Sequence, residues 1–372
     1  MKSILKQFFL IFFCSSSALY AASLKQYPYI SGDTLVQIQA DRVLSSEKNN
    51  VPGNNGFVYV QQNMALNFNK NWSAKTQLRL QPNNVLTTRD QVNSERYRTF
   101  LNNDRGSSLG DTGILLEELK INYENDDVRV FAGKFDPTFG TAWRKTKRIG
   151  VFASQFTEDY NLREKIGGGV TALLENSSIT FNSFLNDTTG LSRSMINDRG
   201  AAKKNSGVAG SNQNLSSYSF SMEGEDFLMI DNWYYNFGYR SLAVGSAEGK
   251  AREQGYVIGS EYLYKVGRNS SIIPVFEFVK INNFSGQRNR DAQYTTLALI
   301  GNYASWTTSA SLITRDLRDL QAGAKYSDRQ MQFSIGYKIT DNVTIDVSRA
   351  NIKENGYDGA MFGGNLTYFY KF

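Results

Sequence analysis

Beyond the N-terminal residues the hydrophobic positions recur with period two, in segments of roughly ten residues. In Val58–Phe68 the even positions are mostly apolar and the odd ones mostly polar. Trp72, Ala74, Thr76, Leu78 and Leu80 alternate with Ser73, Lys75, Gln77, Arg79 and Gln81, and Met331, Phe333, Ile335, Tyr337 and Ile339 alternate with polar neighbours. A pleated strand sends successive side chains to opposite faces, so this pattern predicts strands with one apolar and one polar face. No comparable helical period occurs after the N-terminus.

Alternation alone also suits a soluble β-sandwich. The connections separate the two. Short polar turns are predicted at 69–71, 124–127, 175–177, 224–226, 267–269, 304–305 and 340–342. Between them lie longer polar stretches, roughly 43–56, 82–113, 136–161, 187–215, 245–253, 282–291, 316–329 and 353–359. Regular alternation of short and long connections predicts a transmembrane antiparallel β-barrel, with tight periplasmic turns and longer external loops. Counting between connections gives about sixteen strands, all-β, in a single domain. Trp72 and Trp306 each follow a short turn, where an interfacial aromatic girdle belongs. Tyr218, Phe220, Trp233, Tyr235, Phe237, Tyr239, Tyr256, Tyr262 and Tyr264 fall on the same outward phase.

The first 22 residues read as a cleaved secretory signal, with Lys2 and Lys6, an apolar core at 8–13, and small residues through Ala21 and Ala22. The mature chain, 23–372, carries two lysines fewer than the +6 of the whole sequence, that is +4. Ile11-Phe12-Phe13 ahead of Cys14 are too bulky for a lipoprotein signal. Once the signal is removed no cysteine remains, so an exported chain must hold together without disulfides.

Candidate chemistry is narrow. The sequence has no histidine, which excludes Ser-His and Cys-His dyads as well as histidine metal sites. Glu117 and Glu118, adjacent on a predicted strand, should face opposite ways, and Asp126 with Asp127 lies in a turn. The glycine-rich stretch 106–113 lacks the lysine of a phosphate loop. Neither catalytic residues nor a cofactor or metal is expected. The basic pI comes from charges that alternate along strands rather than cluster, so nucleic acid is not an expected partner. Asn-x-Ser/Thr triplets at Asn71, Asn176 and Asn342 fit an asparagine-rich composition.

The chain ends Leu366-Thr367-Tyr368-Phe369-Tyr370-Lys371-Phe372, with Leu366, Tyr368, Tyr370 and Phe372 on one face. This resembles the C-terminal signal by which barrel-assembly machinery recognises outer-membrane proteins of Gram-negative bacteria. Gly133–Gly140, with Pro137, Phe139 and Gly140, resembles the start of the loop that folds inward after the fifth strand of porins. Ile335–Asn342 resembles their penultimate hairpin. The mature chain is thus similar to the Gram-negative outer-membrane porin superfamily, trimeric sixteen-stranded diffusion channels. The resemblance implies an outer-membrane location, a homotrimer, contact with outer-membrane lipid and lipopolysaccharide, and 136–161 as a candidate constriction loop. One departure is plain: the usual run of loop acids is replaced by Arg144, Lys145, Lys147 and Arg148, with Glu158 and Asp159 further on.

The inward phase puts Lys75 and Arg79 on the third strand, Lys120 on the fourth, Arg129 on the fifth, and Arg163 and Lys165 on the sixth. Asp41, Glu118, Glu223 and Glu261 are the facing acids, fewer and scattered. A basic wall beside the loop would favour anions weakly among small hydrophilic solutes and ions. Two rivals remain: an anion- or phosphate-specific channel, and a surface adhesin using loops 82–113 and 187–215.

Overall fold

The computed structural model describes residues 26–48, 51, 53–82, 112–142, 151–152, 154–200, 204, 207–212, 214–245 and 249–372. The signal segment lies outside them. Sixteen long strands follow one another: β1 (Tyr29–Ser46), β2 (Asn54–Asn67), β3 (Trp72–Pro82), β4 (Thr112–Glu124), β5 (Val128–Phe135), β6 (Lys165–Leu173), β7 (Ser177–Asn186) and β8 (Ser217–Gly224). Then come β9 (Trp233–Leu242), β10 (Glu253–Tyr262), β11 (Ser270–Asn282), β12 (Arg290–Tyr303), β13 (Trp306–Asp319), β14 (Ala324–Lys338), β15 (Val343–Glu354) and β16 (Tyr357–Lys371). Two two-residue stretches supplement them. Tyr264–Lys265 extends β10 along β11, and Ser194–Met195 bridges to Ile114 and Leu115 of β4.

Each strand pairs antiparallel with the next, and β1 pairs with β16 from Asp33↔Lys371 to Ser46↔Gly359. Gly32 and the terminal Phe372 exchange backbone hydrogen bonds of 3.0 and 2.9 Å. The sheet is therefore closed, and closure is what a sheet in lipid needs, because hydrocarbon offers no partner to an unpaired edge.

The distribution of exposure inverts that of a soluble sandwich. On β14 the apolar Met331, Phe333, Ile335 and Tyr337 are exposed, while Gln330, Gln332 and Ser334 on the opposite face are buried. Strand after strand repeats this, with Ile38, Ile121, Val170, Phe220, Ile258, Leu297 and Leu366 facing out. Lipid removes the cost of that outer face, and the interior holds the polar residues. Trp72 and Trp306 are half-exposed at the first residues of β3 and β13, each beside a tyrosine of the next strand.

The turns at 68–71, 125–127, 174–176, 304–305 and 339–342 are short, as the sequence predicts. Three connections differ. The link between β8 and β9 spans residues 225–232 and holds a single 3-10 turn at Phe227–Met229, with Phe227 against Trp233 and Tyr235. The polar stretches at 316–329 and 353–359 are mostly strand, with turns of only 320–323 and 355–356. Strands that rise past the bilayer meet water on their outer face, so the apolar alternation fades while the pairing continues.

A β-bulge interrupts β4, where Gln77 pairs with Glu118 but Leu78 pairs with Leu116. The extra residue, Glu117, is turned to the same side as Glu118, against the expectation that the two alternate. A bulge slips the pleat by one residue and re-aims the side chains beyond it. The bulge also leaves Leu115 in register with Arg79, facing inward.

Candidate functional site

After β5 the chain turns into the barrel. Phe135, at the strand end, packs edge-on to Phe131 and Phe184. The ring of Phe131 fills the space that a Cβ at Gly169 would take, 2.5 Å away, which is why β6 carries glycine there. Gly140 has φ +73° and its backbone rests on Glu277 of β11, whose Oε1 would lie 3.0 Å from a Cβ. Glu277 then accepts four hydrogen bonds from the segment: Thr141 N at 2.6 Å, Thr141 Oγ1 at 3.3 Å, Ala142 N at 3.0 Å and the Tyr160 hydroxyl at 2.7 Å.

Further clasps run along the same wall. Asn236 of β9 donates to Thr141 Oγ1 at 2.8 Å. Arg240, also on β9, donates to the Tyr160 carbonyl at 2.5 Å, pairs with Glu253 of β10 at 2.7 Å, and lies 4.6 Å from the Phe139 ring centre. Arg315 of β13 meets Asp159 at 3.0 Å, Asp328 of β14 at 2.6 Å and Glu354 of β15 at 3.3 Å, with Phe156 under its guanidinium. The backbone of Val151 and Phe152 bonds to Ser348 and Gln332, and Gln330 donates back to the Phe152 carbonyl at 2.7 Å. Every one of these wall residues is on the inward phase. The described residues between β5 and β6 thus lie against the inner surface from β9 to β15, sealed by Phe139, Phe156, Tyr160 and Leu162 packed on Val279, Tyr294 and Ile313.

The candidate basic residues lie on β3 to β6 and just ahead of β6, but not as an unopposed wall. Arg79 pairs with Glu117 at 2.6 Å and stacks on Tyr59, and Lys120 pairs with Glu118 at 2.8 Å. Arg129 forms a fork with Glu124, at 2.8 and 3.0 Å. Arg163 pairs with Glu158 at 3.2 Å from the segment ahead of β6, two residues before the strand that was expected to carry it. Lys165 is buried and donates to Asn186 at 2.6 Å, so it does not face water. Lys75 stands opposite Lys120 in register. The expected scarcity of facing acids is thereby corrected. Beside the expected Glu118 stand Glu124, at the end of β4, and Glu117, which the bulge turns inward and simple alternation could not reveal. Asp159 is likewise buried under Arg315 rather than facing open space. Arg144, Lys145, Lys147 and Arg148 lie outside the described residues.

The sequence reading missed Glu277, Arg240 and Arg315, the residues that seat the segment. Their inward phase was readable, but their partners in the segment are 80 or more residues away in the chain.

Beside the seated segment a cavity of about 740 Å³ remains, lined by Gln37, Gln61, Asn63, Gln77, Arg79, Glu118, Asp346, Asn365 and Thr367, with 136–140 as its other side. Amides and hydroxyls recur along this lining, between apolar Leu35, Tyr59, Phe139 and Tyr337. These polar groups exchange hydrogen bonds with water or a hydrated solute at little cost, and they hold no fixed reactive group.

Asp136 closes one end. Its Oδ1 accepts from Glu164 N at 2.7 Å. Burial, then the charges of Glu117 and Glu118, push its carboxyl up to about 7, against the pull of Arg163. From pH 8 to pH 6 it should take up a proton, and the inner wall should lose one negative charge. The reversal potential in a salt gradient should move toward the anion over that interval in the wild type and stay flat in Asp136→Asn.

No protein-family profile and no curated protein matches this sequence. Solved structures do match. The outer-membrane channel DcaP of Acinetobacter baumannii superposes with a TM-score of 0.57 at 10% identity, covering 94% of this chain and 100% of that one. OmpF of Salmonella typhi, in complex with daunomycin, gives 0.57 at 10% identity over 92% of this chain and 98% of its own. The anion-selective porin of Comamonas acidovorans gives 0.53 at 10% identity over 92% and 99%. With closure, inverted exposure and end-to-end superposition together, the chain is a closed sixteen-stranded antiparallel barrel with the fold of these outer-membrane channels.

Proposed function

We propose that this barrel is a passive, water-filled channel for small hydrophilic solutes, with segment 136–161 as its constriction and at most a weak anion preference. The observation that carries the reading is the polar-lined cavity left beside a segment clasped to the opposite inner wall. No catalytic step is assigned. The preference is weak in this reading since Arg79, Lys120, Arg129 and Arg163 each have an acid beside them. A continuous basic ladder, as a phosphate-specific channel needs, is not formed by the described residues. The Comamonas porin described as anion-selective supports the sign, and the ion pairs argue for a small size.

The same reading takes residues 1–22 as a cleaved export signal and the outward Leu366 and Tyr368, with the stacked Tyr370 and Phe372, as the assembly signal. It takes the working unit as a homotrimer. Liposome swelling tests it: vesicles holding the refolded protein should admit uncharged sugars at rates falling steeply with size. A salt-gradient reversal potential should lean slightly toward the anion. Clear cation selectivity would remove the anion half, and sugar-impermeable vesicles would remove the channel.

A further inference from the structure

The cavity beside the seated segment has a chemistry that passage by size alone does not require. It lies toward the short-turn end of the barrel, since Ser305 of the β12–β13 turn, Lys338 at the end of β14 and Thr344 at the start of β15 line it. Residues 136–140 bound it on the other side. Its volume of about 740 Å³ falls within the range of about 300–1,000 Å³ usual for small-molecule sites.

Down the inward face of β2 runs a relay of polar side chains. The Tyr59 hydroxyl donates to Gln61 Oε1 at 2.7 Å, Gln61 Nε2 donates to Asn63 Oδ1 at 3.5 Å, and Asn63 Nδ2 donates to Asp33 Oδ1 of β1 at 2.7 Å. The three β2 members are two residues apart, roughly 7 Å along the strand. A second relay crosses from β1 to β16, with Gln37 Nε2 donating to Thr367 Oγ1 at 3.2 Å and Thr367 Oγ1 to Asn365 Oδ1 at 2.9 Å. Gln77, in register with Asn63, extends the row to β3. The relays hold the amides in place, and each bond takes up only part of what a carboxamide can donate and accept.

Donors and acceptors side by side match a hydroxyl, which is both. A carboxylate offers only acceptors and an ammonium only donors, so either would leave half of the row unanswered. The charges on the lining agree with this. Arg79 and Glu118 are engaged with Glu117 at 2.6 Å and Lys120 at 2.8 Å, and Lys338 meets Asp341 at 2.7 Å. Asp136 and Asp346 also line the cavity, and a carboxylate accepts from a hydroxyl while repelling a bound anion. Leu35, Tyr59 and Phe139 supply apolar surface between the amides. A sugar ring presents C–H faces as well as hydroxyl edges, and so uses both kinds of lining. We infer that this row is a saturable binding site for a neutral, polyhydroxylated solute of one or two sugar rings, with Gln61 and Asn63 as its central contacts. The inference rests on the channel reading and narrows its substrate class, because size is then not the only criterion for passage.

The test is uptake of labelled glucose into liposomes holding the refolded protein. Its rate should level off with concentration, with half-saturation in the millimolar range. Unlabelled glucose should compete at least tenfold better than glucuronate or glucosamine, which carry the same ring with a charge. Both readouts use the wild-type chain and do not depend on how a variant folds. Gln61→Met with Asn63→Leu should raise the half-saturation at least tenfold, with gel mobility on heating and discrete current steps reporting that the variant is folded and open. A rate that climbs in proportion to concentration would overturn the site and leave the channel standing. Glucuronate or glucosamine competing as well as glucose would show that charge selects instead of the amides, and would overturn it too, as would an unchanged half-saturation in the variant. Absence of both uptake and current would remove the channel reading, and the site with it.

Discussion

Glu277→Ala should unseat the inward segment and leave the barrel closed. The carboxylate is the common acceptor for Thr141 N, Ala142 N and the Tyr160 hydroxyl, all buried. Alanine strands these donors at about 1–3 kcal/mol each. Even at the low end the three together come to about 3 kcal/mol, a little over a hundredfold in the ratio of seated to unseated segment. The strand pairs of the wall need none of these bonds, so folding should survive, which the shift in gel mobility on heating reports. Single-channel records should change from steady steps to steps with rapid flicker and a higher mean. Glu277→Gln keeps the shape and an accepting oxygen, and should fall between the two. Steady wild-type steps in the alanine variant would show that Glu277 does not hold the segment.

Arg315→Met should weaken the molecule more broadly. This arginine is buried among Asp159, Asp328 and Glu354, which join the segment to three strands. Removing the single base leaves buried carboxylates facing one another, a loss of about 3–5 kcal/mol for one broken buried pair. The temperature at which the folded band converts to the unfolded band should fall markedly. Adding Asp159→Asn should recover part of the loss, because it removes one of the stranded charges on the segment side. Arg315→Lys should recover less than its charge suggests, since a lysine cannot fork to Asp328 through two nitrogens, as Nε at 2.9 Å and Nη2 at 2.6 Å do. An unchanged transition in Arg315→Met would mean that the cluster contributes little.

How far the sequence revealed this molecule depends on the range of each interaction. Strand identity is a local matter of alternation, so β3, β14 and the β12–β13 turn were readable from a dozen residues each. Closure was inferred from the regular alternation of short and long connections and from a count of about sixteen strands. Strand length at the outer end was not readable. Arg318, Lys325, Arg329 and Lys353 look like loop residues, although each is paired within β13, β14 or β15. The site was legible only in part. The inward phase found Arg79, Lys120 and Arg129, but the bulge at Glu117 and the fork from Glu124 to Arg129 turned an expected basic wall into a set of ion pairs. The seat of the segment was out of reach altogether. Glu277 and Thr141 are brought together by the whole curvature of the barrel, and nothing in the neighbourhood of either residue points to the other.

The central claim is that a polar passage stays open beside the seated segment, and single-channel conductance in a planar bilayer tests it most directly. Detergent-purified, heat-modifiable protein should insert in discrete steps, in groups of three if the trimer is the unit. Each step should remain open at low voltage. Folded barrels that insert and carry no current would mean that the interior is plugged, and the channel reading would fall with them.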